Sequence, residues 1–522
     1  MAGIAFTEDQ VLNRAKLLML ALSFLLSSCH QQRKSLNFHP INDTGESIIN
    51  HIIENKFEAV PVPGLAVGIV SDTEEYLYTL GHSDLSTNAV FTDSTSFCAG
   101  VLSETMTASL ALALEHNYTV NLDEPVSRVL SHFALNSDTY QKITLQHLLT
   151  NTSGVPKLNV TWDYPNLSDS ALYQTTWSIR LLEPEFPTPG TQVIRSSYNF
   201  DIAADFISNA SRLQFDKFAD TYMFQPLQMK QSTYKPSPES LKTYSKPHEV
   251  KDWLTYAFTP RSEYPLNGEH AGSIGFHTTL GDLTKWMSMI LNNGQYKGKM
   301  ILPENLATSL TQPKYATNTP GSYIGLGLEI KIVNDIAICY KTGQVGGFEQ
   351  SLLLVPALKI GIVVITNASS DFQTEVFAHE LLTAVTNKQI PKYKKSLHIK
   401  MGEIYKTTSS IDSVLQYFEA NMDNQQYEVS DLTLSHFGMT LFHRLNKKQD
   451  ALQVYLKGNL LFPQSAYIHL NLAEYYIANR KVEDAERELS LISTLHNNEF
   501  DVIERIELLE NAITLIKEKE NY

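Results

Sequence analysis

Few side chains in this sequence have the type and spacing that metal chemistry requires. His379-Glu380 begins like the H-E-x-x-H zinc motif, but Thr383 stands where the second histidine is needed. No other histidine or cysteine cluster has metal-ligand spacing. Cys98 and Cys339 are compatible with one disulfide in an oxidising compartment or with two buried free thiols. We therefore predict no metal site and no other cofactor.

Cys29 is the cysteine with the most informative surroundings. It ends the sequence LSSC after the apolar run 17–26, which is too short to cross a hydrocarbon layer about 30 Å thick but fits a signal-peptide core. LSSC resembles the bacterial lipoprotein signal, in which the cysteine is lipidated; an ordinary cleaved signal with a chance cysteine is the alternative. We predict a lipoprotein signal peptide at 1–29 and a tether at 30–44. The protein would then lie in the bacterial cell envelope, periplasmic or surface-facing, with the lipid anchor as its only membrane attachment.

Length, composition and net charge limit the number of domains and the classes of partner. A chain of 522 residues exceeds one compact core, so we expect two or three domains. Its 43% hydrophobic and 19% charged residues are typical of globular protein. The net charge of -15, with no long basic run, argues against nucleic acid as a partner, because binding to phosphates depends on lysine and arginine.

The predicted elements that would position any site follow a simple order. Helical segments dominate from about 103 to 290, and strand-like runs stand on either side of them. These runs are 64–70, 75–80, 323–332, 336–340, 350–355 and 360–365, followed by a helix at 374–386. Strands at both ends with a helical middle predict an α/β fold, in which one antiparallel sheet, closed by its termini and flanked by helices, carries an inserted all-helical subdomain.

The C-terminal part contains an internal repeat. Asp450-Ala451 recurs as Asp484-Ala485, 34 residues later, within helical sequence. A helix–turn–helix unit of this length is typical of tetratricopeptide repeats, and generic helical hairpins are the alternative. We predict a connecting helical segment at 391–430 and an all-α tetratricopeptide-like domain at 431–522 that binds a protein partner.

Four stretches carry recognisable motifs in a consistent order. They are GHSDLSTNAVFTDSTSF (81–97), ITLQHLLTNTSGVP (143–156), EHAGSIGFHTTLGDLTKWMSMILNNG (269–294) and KTGQVGGFEQSLLLVPALKIGIVVITN (341–367). Together they resemble the serine β-lactamase, penicillin-binding protein and esterase family of the class C type. The resemblance spans 45–390, which we predict to be a β-lactamase-like domain.

The resemblance implies acyl-transfer chemistry. In the family, the serine of an S-x-x-K turn attacks a carbonyl group, and the lysine one helical turn later accepts its proton. A Y-x-N or S-x-N motif adds a second proton carrier, and a K-T-G strand supplies a cation for the substrate carboxylate. Two backbone N–H groups stabilise the oxyanion.

The first motif has lost the side chains that this chemistry needs. In FCAGVLSETMTA (97–108), Val101 occupies the serine position and Glu104 occupies the lysine position. A different register would make Ser103 the nucleophile, but its partner would then be Met106, which cannot accept a proton.

The second motif is altered as well, whereas the third is intact. After Pro189-Gly190-Thr191, Arg195 occupies the tyrosine position and Ser197 the asparagine position. Lys341-Thr342-Gly343 stands where the family places its K-T-G strand.

The replacements have complementary charges. We predict an ion pair between Glu104 and Arg195, within about 4 Å, with Lys341 lining the same cleft; the alternative is that both side chains turn to solvent. The oxyanion donors are the backbone amides of Val101 and Gln344, which side-chain changes need not remove. Such a cleft would favour a carboxylate or a peptide C-terminus. The predicted ligand-binding residues are Lys341, Thr342, Gly343, Gln344, Arg195 and Glu104.

Two functions are compatible with this sequence. The first is an envelope pseudoenzyme that binds a carboxylate- or peptide-bearing ligand, such as a peptidoglycan fragment, or a protein partner, without turnover. The second is an active serine hydrolase (an esterase, D-Ala-D-Ala carboxypeptidase or β-lactamase) with an unconventional nucleophile such as Ser103. The joint loss of several catalytic side chains favours the first.

Overall fold

The computed structural model describes residues 43–72, 74–157, 166–370, 372–387, 391–495 and 500–520. The predicted signal peptide and Cys29 lie outside the described residues, as does most of the predicted tether. The first helix begins at Asp43, so the last two residues assigned to the tether are helical.

A nine-stranded antiparallel sheet forms the centre of the fold. Its spatial order is β10-β11-β12-β13-β14-β15-β1-β2-β3. The strands are β1 Gly64–Ser71, β2 Glu74–Asp84, β3 Ala89–Val90, β10 Tyr315–Ala316, β11 Ser322–Ile324, β12 Glu329–Val333, β13 Ile336–Val345, β14 Phe348–Val355 and β15 Ile360–Thr366. Strand β1 lies beside β15, with Val67 opposite Val364, which confirms the prediction of a sheet closed by the two ends of the domain.

Four two-stranded pairs complete the β structure of the described residues. They are β4 Phe97–Cys98 with β7 His277–Thr278, β5 His248–Asp252 with β6 Ala257–Pro260, β8 Gln295–Tyr296 with β9 Lys299–Met300, and β16 Lys395–Ser396 with β17 Tyr427–Glu428.

The helices fall into a covering layer, an inserted subdomain and a C-terminal group. In chain order they are α1 Asp43–Ala59, α2 Leu102–Asn117, α3 Val126–Val129, α4 Leu145–Leu149, α5 Ala171–Ser178, α6 Ser197–Ser211, α7 Phe215–Ala219, α8 Gln225–Leu227, α9 Ala271–Ile274, α10 Leu280–Leu291, α11 Glu304–Ser309, α12 Thr374–Asn387, α13 Leu397–Thr408, α14 Ile411–Ala420, α15 Asp431–Met439, α16 Lys448–Leu461, α17 Ala466–Ala478, α18 Val482–Thr494 and α19 Phe500–Glu520. The predicted all-helical insertion between β4 and the later strands is confirmed, with the short β5–β6, β7 and β8–β9 segments interrupting it.

Helices cover both faces of the sheet, which is why β1 has no polar side chain before its last residue, Ser71. Val67 shares one buried cluster with Ile53 of α1 and Phe377 of α12. Its neighbour Ala66 faces the opposite side and shares the larger cluster with Trp286 of α10. Every residue of β1, β14 and β15 is buried, so neither face requires the polar alternation of a half-exposed strand.

The run 323–332 was predicted as one strand and forms two. Strands β11 and β12 are separated by a turn that contains Gly327, whose φ is +68°. A Cβ atom at Gly327 would lie 2.7 Å from the carbonyl oxygen of Glu104. The turn therefore needs glycine both for its backbone conformation and for its contact with the start of α2.

Helix α2 is the central helix of the domain. Each residue from Leu102 to Leu114 is buried, as expected for a helix enclosed by the sheet and by other helices. Its first turn carries Glu104, where the partial positive charge of the helix N-terminus favours a carboxylate. The helix thereby fixes the position of the first catalytic motif.

The C-terminal helices pack against the β5–β6 hairpin. A Cβ atom at Gly402 of α13 would lie 1.9 Å from the carbonyl oxygen of Leu254, so helix and hairpin are in direct contact. Lys406 also forms an ion pair with Asp252. The predicted connecting segment therefore contains helices that rest on the β-lactamase-like part.

Two helix pairs follow each other in the last part of the chain. Helix α15 packs on α16, and α17 packs on α18. Ala451 of α16 and Ala485 of α18, the residues of the predicted 34-residue period, are both fully buried. An all-α C-terminal region is thus present, and its assignment as tetratricopeptide repeats stays a prediction. Among the described residues, no helix has the length and apolar composition needed to cross a membrane.

Candidate functional site

The residue before α2 is the position where the family places its nucleophile. Val101 lies there, partly exposed, and its side chain faces strand β13. A Cβ atom at Gly343 would lie 2.8 Å from both methyl groups of Val101. The third motif therefore lies directly against the first, as the sequence alignment requires. The group between them is hydrocarbon, which cannot attack a carbonyl group.

Glu104 lies one helical turn later and pairs with Lys341. Residues three positions apart share a helix face, so Glu104 and Val101 both point toward β13. The Lys341 ammonium donates a hydrogen bond to the Glu104 carboxylate, and each side chain is only 10% exposed. The ring of Phe200 adds a cation–π contact, with its centroid 5.9 Å from Lys341 Nζ. The centre of the cleft between α2 and β13 is a buried ion pair.

Burial and the neighbouring charged groups shift the pKa of Glu104 in opposite directions. Burial raises the pKa, Lys341 opposes that effect, and the nearby Asp201 carboxylate adds to the rise. Arg195 is close enough to lower the pKa slightly, as the smallest of these effects. The net direction is upward, so the loss of hydration outweighs the attraction of the lysine.

The predicted ion pair between Glu104 and Arg195 is wrong. Arg195 pairs with Glu329 of β12, and its side chain is 64% exposed. Arg195 lies in the segment before α6, at the rim of the cleft, whereas β13 carries Lys341 directly over the first turn of α2. Glu329 is opposite Tyr340 in the sheet, and burial together with Glu329 raises the pKa of Tyr340 to about 12.

The second motif is held in place by neighbouring polar residues. Ser197 begins α6, and Ser196 before it is buried. The Ser196 amide donates to Asn151 Oδ1 at 3.1 Å, and Asn199 Nδ2 donates to the same oxygen at 2.9 Å. These bonds fix the backbone that presents Arg195 and Ser197, but they supply no proton carrier to the cleft.

Ser103, the alternative nucleophile, is fully buried. Its hydroxyl donates to the Gly100 carbonyl at 2.6 Å and accepts from the Phe276 amide at 2.9 Å. Within the described residues, its hydroxyl forms no hydrogen bond with a basic side chain. Ser103 therefore joins the start of α2 to the segment before β7.

The remaining third-motif residues, Thr342 and Gln344, lie on the face of β13 opposite to Lys341 and Gly343. The Thr342 hydroxyl hydrogen-bonds the Ser351 hydroxyl at 2.9 Å, and Ser351 in turn contacts Thr374. Gln344 is exposed near the end of the strand. Of the predicted ligand-binding residues, Lys341, Gly343 and Glu104 therefore meet in the cleft with Arg195 at its rim, and Thr342 is engaged elsewhere.

Sequence reasoning missed a second buried charge pair beside the cleft. Asp201 of α6 and His270 are 2.7 Å apart and almost fully buried. Burial raises the pKa of Asp201, although His270 opposes it. Burial also lowers the pKa of His270, but the attraction of Asp201 outweighs it and the net shift is upward. The two residues lie 69 positions apart, so no local pattern could have linked them.

Both remaining cysteines are free and buried, which answers the question left open by the sequence. Burial raises the pKa of each thiol to about 12, so neither is a reactive thiolate. Among the described residues, no group of three or more histidine, cysteine, aspartate or glutamate side chains is arranged to hold a metal ion.

Comparison with known proteins agrees with this geometry. The β-lactamase family profile matches residues 49–385. Protein flp of Staphylococcus aureus (strain MW2) is 24% identical over 360 residues, covering 68% of this chain and 68% of that protein. A β-lactamase of Escherichia coli (strain K12) is 24% identical over 358 residues, covering 63% of this chain and 89% of the relative.

Solved structures share the fold. The octameric penicillin-binding protein homologue from Pyrococcus abyssi aligns with a TM-score of 0.57 and 19% identity, over 70% of this chain and 82% of that one. The family profile covers the sheet, the inserted helices and the three motif positions, and it ends before α13. The chain belongs to the β-lactamase family.

Proposed function

We propose that this protein is a pseudoenzyme of the β-lactamase family, which binds a carboxylate- or peptide-bearing ligand in the former catalytic cleft without turnover. The observation that carries the proposal is Val101 against Gly343, at the position where the family nucleophile would lie. Acyl transfer begins with bond formation between a nucleophilic atom and the carbonyl carbon. An isopropyl group has no such atom.

The loss of a base supports the same proposal. A general base must have a free lone pair near the proton that it accepts. The Glu104 carboxylate is taken up by Lys341, and Val101 beside it has no acidic proton. Ser103 is no substitute, because its hydroxyl already donates to Gly100 and accepts from Phe276.

The exposed cation at the rim indicates how a carboxylate ligand would bind. Lys341 is buried and neutralised by Glu104, whereas Arg195 is 64% exposed with Glu329 on one side. A guanidinium group has five N–H donors, so Arg195 can hold Glu329 and a ligand carboxylate together. We therefore assign ligand recognition mainly to Arg195, with the backbone amides of Val101 and Gln344 as further donors.

Location and partners form the second part of the proposal. We propose attachment to the bacterial cell envelope through lipid on Cys29, and binding of a protein partner by the C-terminal helix pairs. This arrangement would place the cleft beside cell-wall peptides, whose C-terminal carboxylates fit the proposed ligand class.

Covalent labelling tests the loss of catalysis. Protein lacking residues 1–29 should form no adduct with a fluorescent penicillin or a fluorophosphonate, measured by gel fluorescence and intact-mass spectrometry. A penicillin-binding protein labelled in parallel is the positive control. The variant Val101→Ser/Glu104→Lys restores the missing side chains, and labelling of this variant alone would assign the inactivity to them. A stoichiometric wild-type adduct on Ser103 would overturn the proposal.

Binding of a short peptide tests the ligand class. The dipeptide D-alanyl-D-alanine should bind in titration calorimetry, and its C-terminal amide should bind at least tenfold more weakly. Arg195→Ala should weaken binding of the acid and leave the amide unchanged. Equal affinity for acid and amide would contradict a carboxylate site.

A further inference from the structure

A second cavity lies between the β-lactamase-like part and the C-terminal helices. It has a volume of about 340 Å³ and is lined by residues of α1, of the segment that precedes and begins α13, and of the start of α15. The candidate catalytic residues do not line it. This cavity, which we call the interdomain pocket, could hold a small organic molecule.

The charged groups that line the interdomain pocket are almost all basic. Among the described residues, Glu428 is the only acidic one that lines it, and Tyr256, Tyr393 and several aliphatic side chains supply apolar surface. The cationic lining residues are Lys56, Lys392 and Lys394, and the rings of His398 and His436 also face the pocket. A local excess of positive charge stands out in a chain whose net charge is -15.

Lys56 is the most unusual of these residues. It is only 8% exposed, yet no ion pair or hydrogen bond of its ammonium group occurs among the described residues. Three aromatic rings surround Nζ instead, with centroids at 5.4 Å for Phe372, 5.7 Å for Phe377 and 5.3 Å for Tyr393. Ring faces stabilise a cation but accept no conventional hydrogen bond, so the three N–H donors lack an acceptor.

The carboxylates near Lys56 do not supply a direct partner for its ammonium group either. Burial lowers its pKa, and the more distant carboxylates Glu380 and Glu349 oppose this effect without contacting Nζ. Glu380 is already engaged by the Tyr393 hydroxyl at 2.8 Å. An anionic oxygen in the interdomain pocket would supply the direct partner that these carboxylates do not.

His398 supplies an unmet hydrogen-bond acceptor. It is 4% exposed, and its Nε2 lies 2.9 Å from the Trp253 carbonyl oxygen, so Nε2 carries the proton. Nδ1 is then an acceptor, and it has no partner among the described residues. Burial, with a smaller effect of His436, lowers the pKa of His398 to about 4, which keeps the ring neutral at pH 7. A ligand hydroxyl or N–H group would satisfy Nδ1.

The start of helix α15 adds a further preference for negative charge. Ser430, Leu432 and Thr433 line the interdomain pocket at the N-terminal end of this nine-residue helix. The side chains of Ser430 and Thr433 already cap two of the N–H groups there and Asp431 lies in the first turn, so the helix contributes only its partial positive charge. These polar groups of the pocket come from three chain segments: Lys56 from α1, Lys392, Lys394 and His398 from the region around the start of α13, and the helix N-terminus from α15.

We propose that the interdomain pocket binds a small organic anion, which carries a carboxylate or phosphate group and a hydroxyl or N–H donor. The anionic group would lie near Lys56, Lys392 and Lys394, and the donor near His398. Because α1 and α15 belong to different parts of the chain, the bound anion would connect the β-lactamase-like part to the C-terminal helices.

Small aromatic anions test this proposal on protein lacking only residues 1–29. The probes are phenyl phosphate, benzoate and the neutral benzyl alcohol, each titrated by calorimetry. At least one anion should bind at least tenfold more tightly than benzyl alcohol, and comparison of the two anions distinguishes phosphate from carboxylate. Equal binding of all three compounds, or binding of none at about 10 mM, would overturn the proposal.

Variants locate the bound anion. Lys56→Met should weaken anion binding at least tenfold, and Lys392→Gln/Lys394→Gln, at exposed positions, should weaken it several-fold without affecting folding. Lys299→Gln, on the remote β8–β9 hairpin, is the matched control and should have no effect. If Arg195→Ala abolishes binding while the Lys56 and Lys392/Lys394 variants retain it, the anion occupies the former catalytic cleft and the proposal is wrong.

Discussion

The Glu104–Lys341 ion pair gives a quantitative test of how this cleft is built. Lys341→Met keeps much of the length of the side chain but removes its charge, which leaves the Glu104 carboxylate buried near Asp201 without the ammonium group that neutralises it. We expect this variant to fold with lower stability. The size of the loss depends on how far the pair is shielded from water.

The exposures set the expected magnitude. Both side chains are 10% exposed, so the pair is close to the buried limit, at which removal of one partner costs about 3–5 kcal/mol. Glu104 can take up a proton in this variant, which limits the cost and places the expectation at about 3 kcal/mol. At about 2–4 °C per kcal/mol, the unfolding midpoint of the β-lactamase-like part should fall by about 6–12 °C.

A double variant tests whether the loss of stability comes from leaving one buried charge unpaired. Glu104→Gln/Lys341→Met removes both charges, and replacing a buried ion pair by uncharged groups is often neutral or stabilising by about 1–4 kcal/mol. We therefore expect the double variant to recover most of the loss. The upward pKa of Glu104 supports this expectation, because it indicates that burial of the carboxylate is not fully offset.

Arg195→Ala is the matched control in the same cleft. The Arg195 side chain in the Arg195–Glu329 pair is 64% exposed, and exposed ion pairs contribute about 0–1 kcal/mol to stability. The unfolding midpoint of Arg195→Ala should stay within about 2 °C of that of the wild type. Calorimetric scans at one pH and protein concentration measure all four proteins. A large loss for Arg195→Ala combined with none for Lys341→Met would refute both the assigned pairing and the argument from burial.

Two further predictions concern pH and anchoring. Because the pKa of Glu104 is raised above its ordinary 4.5, the folded state holds more protons than the unfolded state between those two pKa values, so the free energy of unfolding should decrease as pH rises through that window. Thermal unfolding from about pH 4 to pH 8 should show a contribution of this sign that Glu104→Gln lacks; an unchanged profile would contradict it. Cys29 should carry lipid and hold the mature protein in the membrane fraction, whereas Cys29→Ser should release it or leave it unprocessed. Recovery of the wild type entirely in the soluble fraction would exclude the anchor.

The sheet could be predicted because its strands are locally distinctive. The runs that became β1 and β15 are almost entirely apolar, and β14 ends in the apolar run Leu352–Val355; such segments indicate burial on both faces of a strand. The division of 323–332 into β11 and β12 was not predicted. It depends on a turn at Gly327 that fits against the backbone of Glu104, and this contact joins parts of the chain more than 200 residues apart.

The site shows the same division between local spacing and distant pairing. The positions of Val101 and Glu104 followed from the resemblance of 97–108 to the S-x-x-K motif, whose two functional residues are three positions apart and therefore face the same side of the helix. The partner of Glu104 did not follow, since two cations of the motif set were available and the choice depends on where β13 crosses the helix. Lys341 lies 237 residues from Glu104 in the sequence. Nothing in the sequence indicated that Glu329 pairs with Arg195, because only the order of the strands brings these two residues together.

The actual pairing changes the meaning of the intact third motif. A conserved-looking K-T-G tripeptide in a family of hydrolases is naturally attributed to substrate binding. Here Lys341 neutralises Glu104, and Gly343 leaves room for the methyl groups of Val101. Loss of Lys341 would strand a buried carboxylate, and any Cβ at Gly343 would collide with Val101. Under the proposed function, the tripeptide persists because the altered first motif packs against it, so its presence carries no argument for turnover.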